Sequence, residues 1–194
     1  MPDSRERMIQ SAAALIASRG LSATSFSEVL EESGAPRGSI YHHFPEGKMQ
    51  LAEEALRWTS GRVLAYLEAG KERTPADVLR RFIGMWRRVV LASDGTSGCS
   101  VAGVAIDNAF GEGSLMELVR AIFRSWVDML AHQLETTGVP ASRAGAIALA
   151  TLAGMEGALI LCRAEGNSEP LDTVARELLR LLPAPAGSKR HDPP

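Results

Sequence analysis

The chain has 194 residues, of which 45% are hydrophobic, 23% are charged and only 5% are aromatic. These values are typical of a soluble globular protein, and a chain of this length buries a core without disulfides or a structural metal. Lys and Arg number 21 against 23 Asp and Glu, so the formal net charge is −2. Nucleic-acid-binding proteins usually carry a basic surplus, so the total charge argues mildly against that function.

The cysteines and the termini favour a cytoplasmic protein. Cys99 and Cys162 have neither a metal-binding spacing nor the pattern of a secreted disulfide framework. The first ten residues are charged where a signal peptide would be apolar. The longest apolar segment, residues 144–162, carries Glu156 and several small or polar residues, so we expect no membrane span.

Nearly every segment with a clear hydrophobic period shows the helical one, which predicts an all-α fold of about nine helices. Ser25 and Glu28 have the spacing of a capping box, and Thr74 followed by Pro75 is a typical helix start. The predicted helices cover residues 4–19, 25–33, 37–44, 48–70, 75–93, 101–109, 114–137, 141–163 and 171–182. The pattern divides the chain into a head (residues 1–50), a body (51–183) and a Pro-rich tail (184–194) that we expect to be disordered.

Three short helices, with a Gly-containing turn between the second and third, predict a helix-turn-helix in the head. In that motif the N-terminal residues of the third helix enter the major groove of DNA. Within residues 37–44, Ile40 and Phe44 are spaced to dock on the first two helices, and Gly38 leaves room for a close backbone approach. Lys48, at the start of the next helix, suits a phosphate. The side chains left to donate to phosphates or base edges are those of Arg37, Ser39, Tyr41 and His42.

Residues 24–26, 34–44 and 48–51 together resemble the TetR family of transcriptional repressors. Residues 39–48 (SIYHHFPEGK) and 98–102 (GCSVA) resemble its LmrA/YxaF-like branch. The resemblance implies an all-helical homodimer with two N-terminal DNA-binding heads. It also implies that the body is the ligand-binding and dimerisation domain, which takes a small-molecule inducer.

Carried over by position, the resemblance makes residues 37–43 the recognition helix, with His43 and Phe44 mostly structural. The implied DNA contacts are phosphates at Thr24, Tyr41 and Lys48, and bases at Arg37, Ser39 and His42. The chain departs from the family at Pro36, where Ser or Thr is common, so a side-chain cap is lost. Because proline suits a first helical turn, we expect the helix to form.

Two objections to DNA binding arise from the head itself. Adjacent His42 and His43 suggest a metal site, but helical ligand pairs favour spacings such as i, i+4, and no Cys or carboxylate completes a set. We therefore expect no metal and no cofactor. Residues 1–57 hold six basic against eight acidic side chains. The acidic residues cluster away from the recognition helix, which answers the objection from charge. Because few phosphates are neutralised by each head, we expect weak non-specific DNA affinity and a modest dependence on salt.

The segment from Ala141 to Cys162 is apolar nearly all round, which predicts a helix buried on every side. In a small body such a helix packs on its own core and on a second chain, although a central helix of a monomer is the alternative. The last predicted helix offers a second apolar stripe. The predicted dimer interface comprises Leu149, Leu152, Ala153, Leu159, Ile160, Val174 and Leu178.

A ligand pocket is predicted among the helices of residues 74–137. Flexible Met and flat aromatic side chains suit a small hydrophobic or aromatic effector, although they equally suit a plain core. Asp107, Asn108, His132 and Glu156 are polar groups that could orient a ligand. Cys99 is a candidate redox sensor, but nothing near it in sequence would lower its pKa. The predicted ligand-binding residues are Trp86, Cys99, Phe110, Phe123, Trp126, Met129 and Met155.

No catalytic motif, Gly-rich phosphate loop or metal spacing emerges, so we predict that the protein is not an enzyme. The favoured interpretation is a homodimeric, ligand-responsive repressor of a palindromic double-stranded DNA operator, with the predicted helix 48–70 as the mechanical link. The alternatives are a ligand-binding helical protein whose head has lost its operator, and a helical enzyme.

Overall fold

A computed structural model describes residues 3–107 and 113–183 of the chain. Within these two ranges the protein has nine α-helices and no strand, which confirms the predicted all-α fold. The helices are α1 (Ser4–Arg19), α2 (Phe26–Ser33), α3 (Ser39–His43), α4 (Lys48–Glu68), α5 (Pro75–Ala92), α6 (Ser100–Ile106), α7 (Ser114–Thr136), α8 (Ala141–Glu165) and α9 (Glu169–Arg180).

Side-chain caps explain where two of the helices begin. The Ser25 hydroxyl accepts from the Glu28 N–H and the Glu28 carboxylate accepts from the Ser25 N–H, so the predicted capping box of α2 is complete. Thr74 caps α5 by accepting from the Asp77 N–H, and Pro75 occupies the first helical position. These local signals confirm the predicted starts of both helices.

Three helix boundaries differ from the prediction or lie partly outside the described residues. The third helix begins at Ser39 rather than Arg37, because Pro36 to Gly38 form a turn closed by the Ser39 N–H, which donates to the Pro36 carbonyl at 2.9 Å. The last helix includes Pro170 in its first turn, where no intrahelical N–H is needed. The predicted end of the sixth helix, residues 108–109, and the predicted disordered tail, residues 184–194, lie outside the described residues.

The head is a small three-helix core that fixes α3. Ile40 and Phe44 are fully buried, as predicted, and they pack with Met8 of α1 and Val29 of α2. The Arg5 guanidinium lies 5.6 Å from the centre of the Phe44 ring. Burial of these apolar side chains therefore orients the remaining faces of α3 outward.

The body is built around α8, which packs between α7 and α9. By length and composition alone this helix could cross a membrane, a property shared by core helices of soluble proteins. Its buried side includes Ile147, Met155 and Cys162, which lie in the protomer's own core. The packing identifies α8 as a core helix.

The head and body meet where α1 packs against α6. A Cβ atom on Gly103 would lie 2.8 Å from the Ile16 carbonyl oxygen, so only glycine allows the two backbones to approach this closely. At the end of α6, the Asp107 carboxylate accepts from the N–H and the hydroxyl of Ser22, at 2.5 and 2.6 Å. The contact of α6 with α1, together with the continuous α4, therefore links the body to the head.

We expect Gly103→Ala to destabilise the protein by about 1–3 kcal/mol, because the new methyl group must push α6 away from the α1 backbone. Gly61→Ala in α4 is the matched control, since a Cβ there meets no atom within 4 Å, and it should stabilise the helix by roughly 0.5–1 kcal/mol. Urea unfolding of the two variants measures both values. Equal effects would contradict the close packing of α6 on α1.

Candidate nucleic-acid interface and body cavities

Residues 37–43, here the recognition segment, present a polar face to solvent. Tyr41 is 69% exposed, and Arg37, Gly38 and His42 are also exposed, whereas Ile40 on the opposite side is fully buried. The Tyr41 ring stands edge-on to Phe26 of α2, with centroids 5.6 Å apart, which restrains the phenol without covering it. Nothing lies within 4 Å of the position that a Gly38 Cβ would take. The segment thus offers donors on an open surface that a DNA backbone can approach.

Three other side chains that the resemblance assigns to DNA contacts already donate hydrogen bonds within the protein. The Ser39 hydroxyl donates to the Pro36 carbonyl at 2.7 Å, and the Lys48 ammonium donates to the Ser22 carbonyl at 3.2 Å. Lys48 keeps further N–H donors for a phosphate. Thr24 is buried, and its hydroxyl donates to the Gly20 carbonyl at 2.8 Å. Its position therefore favours a structural role for Thr24 over the phosphate contact that the resemblance implies.

The charges of the head are arranged so that one arginine stays available. Arg19 forms an ion pair with Glu28, and hydrogen bonds from Ser25 lower the pKa of the Glu28 carboxyl. In residues 3–107 and 113–183, no carboxylate pairs with Arg37. A free guanidinium beside Tyr41 can therefore bind a phosphate or the major-groove edge of guanine. Across the same ranges, no three His, Cys, Asp or Glu side chains form a group that could hold a metal ion.

Among the described residues, two separate cavities border the body helices where the sequence predicts one pocket. The first, here the head–body cavity, has a volume of about 460 Å³ and lies between α1, α4, α5 and residues 98–100. The second, here the α6–α8 cavity, has about 470 Å³ and lies between α6, α7 and α8. Of the predicted ligand-binding residues, Trp86 and Cys99 line the first cavity and Phe123 lines the second.

Three other predicted lining residues lie outside both cavities, so the predicted residues do not share one pocket. Trp126 and Met155 are buried in the core and line neither cavity, and half-buried Met129 does not line them either. Trp126 lies 6.1 Å from Trp86 and 5.8 Å from Phe123, centroid to centroid. Aromatic packing therefore fills the space where one large pocket was expected. Phe110 and Asn108 lie outside the described residues.

The prediction omitted the residues of α4 and α5 that form the mouth of the head–body cavity. Trp58, Arg62 and Tyr66 follow one another at four-residue spacing, so they share one face of α4. Arg88 of α5 lies across from them, 5.1 Å from the Tyr66 ring centre. The four-residue repeat of aromatic and basic side chains was the signal that could have identified this face.

Two acidic side chains line the α6–α8 cavity, the exposed Asp128 and the half-buried Glu156. Glu156 is the more buried of the two. Burial raises the pKa of its carboxyl to about 7, and a hydrogen bond with the Cys99 thiol partly opposes that rise. Its Oε1 atom has no hydrogen-bond partner among the described residues. Burial together with the nearby Glu156 carboxylate raises the pKa of the Cys99 thiol well above its usual value. The thiol stays protonated, which argues against the redox-sensor interpretation.

The predicted interface residues divide between the protomer's core and its surface. Leu152, Leu159 and Leu178 are buried within the chain, which corrects their assignment to an intermolecular contact. Val174 is half-buried against α8, where it would lie 3.3 Å from a Cβ on Gly154. One side of α8 is exposed in the single chain, and this is the side on which the sequence analysis expects a second chain to pack. The exposed face of α8, here the α8 face, comprises Ala146, Leu149, Ala150, Ala153, Gly157, Ile160, Leu161 and Ala164.

Comparison with solved structures matches the whole architecture. A TetR regulatory protein from Rhodobacter sphaeroides superposes with a TM-score of 0.82 at 20% identity, covering 93% of this chain and 99% of that one. A TetR-family regulator from Agrobacterium tumefaciens gives a TM-score of 0.80 at 27% identity, covering 93% and 98%. The arrangement of head and body is therefore that of solved TetR-family proteins.

Sequence relatives extend the match to the family level. An HTH-type transcriptional regulator of Mycobacterium tuberculosis (strain ATCC 25618 / H37Rv) is 37% identical over 94% of this chain and 95% of its own. The HTH-type transcriptional regulator LmrA of Bacillus subtilis is 30% identical over 87% of this chain and 91% of its own. These relatives are transcriptional regulators and not enzymes, which confirms the prediction of a protein without enzymatic function.

The family assignment rests on both halves of the chain. Residues 8–55 match the bacterial regulatory proteins of the tetR family, and residues 75–177 match the C-terminal domain of the LmrA/YxaF-like transcriptional regulators. The two matches cover the head and most of the body, and they confirm the resemblance seen in the sequence. With the exposed recognition segment and the helical body, they show that the chain is a helix-turn-helix transcriptional regulator of the TetR family, in its LmrA/YxaF-like branch.

Proposed function

We propose that the protein is a homodimeric transcriptional repressor that binds a palindromic operator and is released by a small hydrophobic effector. The observation that carries the DNA-binding part is the recognition segment, where Arg37, Tyr41 and His42 are exposed while Ile40 and Phe44 hold α3 on the head core. The HTH-type transcriptional repressor KstR2 of Mycolicibacterium smegmatis is 40% identical to this chain over 68 residues, which supports the proposal of repression. A DNA-binding regulator acts beside the chromosome, so its place is the cytoplasm.

The α8 face supports the homodimer. Leu149 and Ile160 are 58% and 55% exposed, and they lie on one side of the helix among small apolar residues, with Glu156 and Arg163 at its edge. A contiguous apolar surface of this kind is costly in water and is typical of an interaction site. A second copy of the same face covers it by two-fold symmetry, and that symmetry places two heads to read two half-sites of a palindrome.

The α6–α8 cavity suits the hydrophobic effector. Phe123, Val127 and Leu152 contribute to a largely apolar lining, and the buried Oε1 atom of Glu156 is an acceptor at its wall. The charged side chains of Arg124 and Asp128 also line it, and both residues are exposed. The same cavity borders the proposed dimer face through Leu149 and Ala153 of α8, and it borders the head link through α6. An effector that favours a different α6 position by about 1–3 kcal/mol therefore changes how the two heads are spaced.

The DNA-binding proposal is tested by fluorescence anisotropy with fragments that flank the protein's own coding region. We expect specific binding to at least one fragment at low salt. Absence of binding to every flanking fragment would favour the alternative of a ligand-binding protein that has lost its operator.

Variants of the recognition segment separate base contacts from phosphate contacts. Arg37→Ala should weaken operator binding by about 1–3 kcal/mol and relax sequence preference, because a guanidinium that reads base edges is lost. Tyr41→Phe should weaken binding to all sequences alike, because it removes only the phenolic donor. Anisotropy titrations with operator and scrambled duplexes measure both effects. Unchanged affinity and preference in Arg37→Ala would overturn the base-contact assignment.

A further inference from the structure

The head–body cavity differs in chemistry from the cavity assigned to the effector. Its mouth carries Arg62 of α4 and Arg88 of α5, both exposed. Arg62 lies 5.0 Å from the centre of the Trp58 ring, and Arg88 lies 5.1 Å from the centre of the Tyr66 ring. The two guanidinium groups are therefore held at the cavity rim by stacking on aromatic side chains that also line it.

No carboxylate neutralises these two arginines in the part of the chain that the structure describes. A third arginine nearby, Arg81, stacks on the same Tyr66 ring as Arg88, at 4.1 Å, but it forms an ion pair with Glu72 at 3.3 Å. Arg62 and Arg88 have no such ion pair, and none of the residues that line the cavity is acidic. The rim thus carries two uncompensated positive charges in a fixed place.

The interior of the same cavity is mainly apolar, although Gln10, Thr59 and Ser100 also line it. Much of its wall is formed by Val63, Met85, Trp86 and Val89, and α1 contributes alanines. About 460 Å³ is enough for a small amphipathic molecule with an apolar body. An apolar interior behind a cationic rim suits a ligand with an anionic group at one end, because the arginines pair with the anion while the apolar part leaves water.

We propose that the head–body cavity binds an amphipathic anion, a molecule with an apolar chain or ring and a terminal carboxylate or phosphate, whose charged group pairs with Arg62 and Arg88. This site lies apart from the effector cavity proposed above and does not depend on DNA binding. Because Gln10, Ala13 and Ala17 of α1 form one of its walls, the bound ligand touches the head directly.

Calorimetric titration of the full chain without DNA tests the proposal. The probes are decanoate and decyl phosphate, with decan-1-ol as the uncharged counterpart of equal chain length. The test variant is Arg62→Gln/Arg88→Gln. The matched control is Arg57→Gln/Arg80→Gln, which removes two exposed arginines from the same two helices outside the cavity, where they pair with Glu53 and Asp77.

We expect saturable binding of at least one anionic probe, at least about tenfold tighter than decan-1-ol, because only the anionic probes form charge-assisted contacts with the two arginines. The Arg62→Gln/Arg88→Gln variant should lose that preference, and the control variant should keep it. A difference between decanoate and decyl phosphate identifies which anionic group the rim prefers. Equal affinity for charged and uncharged probes, equal losses in both variants, or no saturable binding would overturn the proposal. Operator binding is measured separately on the same variants. A failure of anion binding can then be distinguished from a failure of the repressor assignment.

Discussion

The Ile160→Glu variant is expected to be monomeric at micromolar concentration and to lose specific operator binding. Ile160 is 55% exposed on the α8 face, so glutamate is tolerated in an isolated chain. In the proposed dimer, two-fold symmetry brings a carboxylate from each copy into an apolar contact. Burying an unpaired carboxylate costs several kcal/mol. We therefore expect the dimer dissociation constant to rise at least about a thousandfold, equivalent to about 4 kcal/mol.

Leu91→Glu is the matched control for this experiment. Leu91 is 52% exposed and lies on α5. Its replacement by glutamate also exchanges an exposed aliphatic side chain for a carboxylate, but away from α8. We expect this variant to remain dimeric and to bind the operator with unchanged affinity. Sedimentation velocity measures the oligomeric state, and anisotropy on the same samples measures DNA binding. A dimeric Ile160→Glu variant would contradict the α8 face as the interface.

Glu156→Gln is expected to stabilise the protein at pH 8 and to leave its stability almost unchanged near pH 4.5. Burial raises the pKa of Glu156 from its ordinary value of 4.5 to about 7 in the folded protein. Between pH 4.5 and pH 7, the Glu156 carboxyl keeps its proton in the folded state and has released it in the unfolded state. The stability of the wild-type protein therefore falls as pH rises from 4.5 to 7 and levels off above it.

The size of this effect follows from the pKa difference. A rise from 4.5 to about 7 corresponds to about 3 kcal/mol, at about 1.4 kcal/mol for each unit. Glutamine keeps the shape of the protonated acid and does not ionise. Urea unfolding at pH 4.5 and pH 8 measures the difference, and Glu117→Gln, which replaces an exposed glutamate in α7, is the control expected to show no such dependence. Identical pH profiles for Glu156→Gln and wild type would show that the carboxyl is not the buried titrating group.

The head could be predicted from the sequence because its signals are local. Ser25 and Glu28 cap α2 within four residues, and the four-residue spacing of Ile40 and Phe44 determines which face of α3 is buried. The exception is the start of α3. Its position depends on how Pro36 and Gly38 share one turn, and the sequence allows either a turn or a first helical turn there.

The body could be predicted only in outline because its cavities depend on packing between helices. Trp86, Phe123 and Trp126 were all plausible lining residues, but their mutual contacts place Trp126 in the core between two cavities. For α8, an apolar sequence on every side cannot tell which face meets the same chain. The structure separates Leu152 and Leu159, which are internal, from Leu149 and Ile160, which are exposed.

Total charge proved a poor guide to function. The head has no basic surplus, yet it presents one unpaired arginine, Arg37, and the exposed Tyr41 on its recognition segment. Specificity in such a head depends on where a few donors lie rather than on bulk charge. Two heads on a matched site are then needed for tight binding, so the dimer and the operator are parts of one proposal.

Hydroxyl-radical footprinting on the flanking DNA is the most direct test of that proposal. We predict two protected tracts related by two-fold symmetry, with centres about one helical turn or a multiple of it apart. Both tracts should disappear together in Ile160→Glu and weaken together in Arg37→Ala. A single asymmetric tract, or protection that survives in both variants, would contradict a dimer that reads a palindrome through its recognition segments.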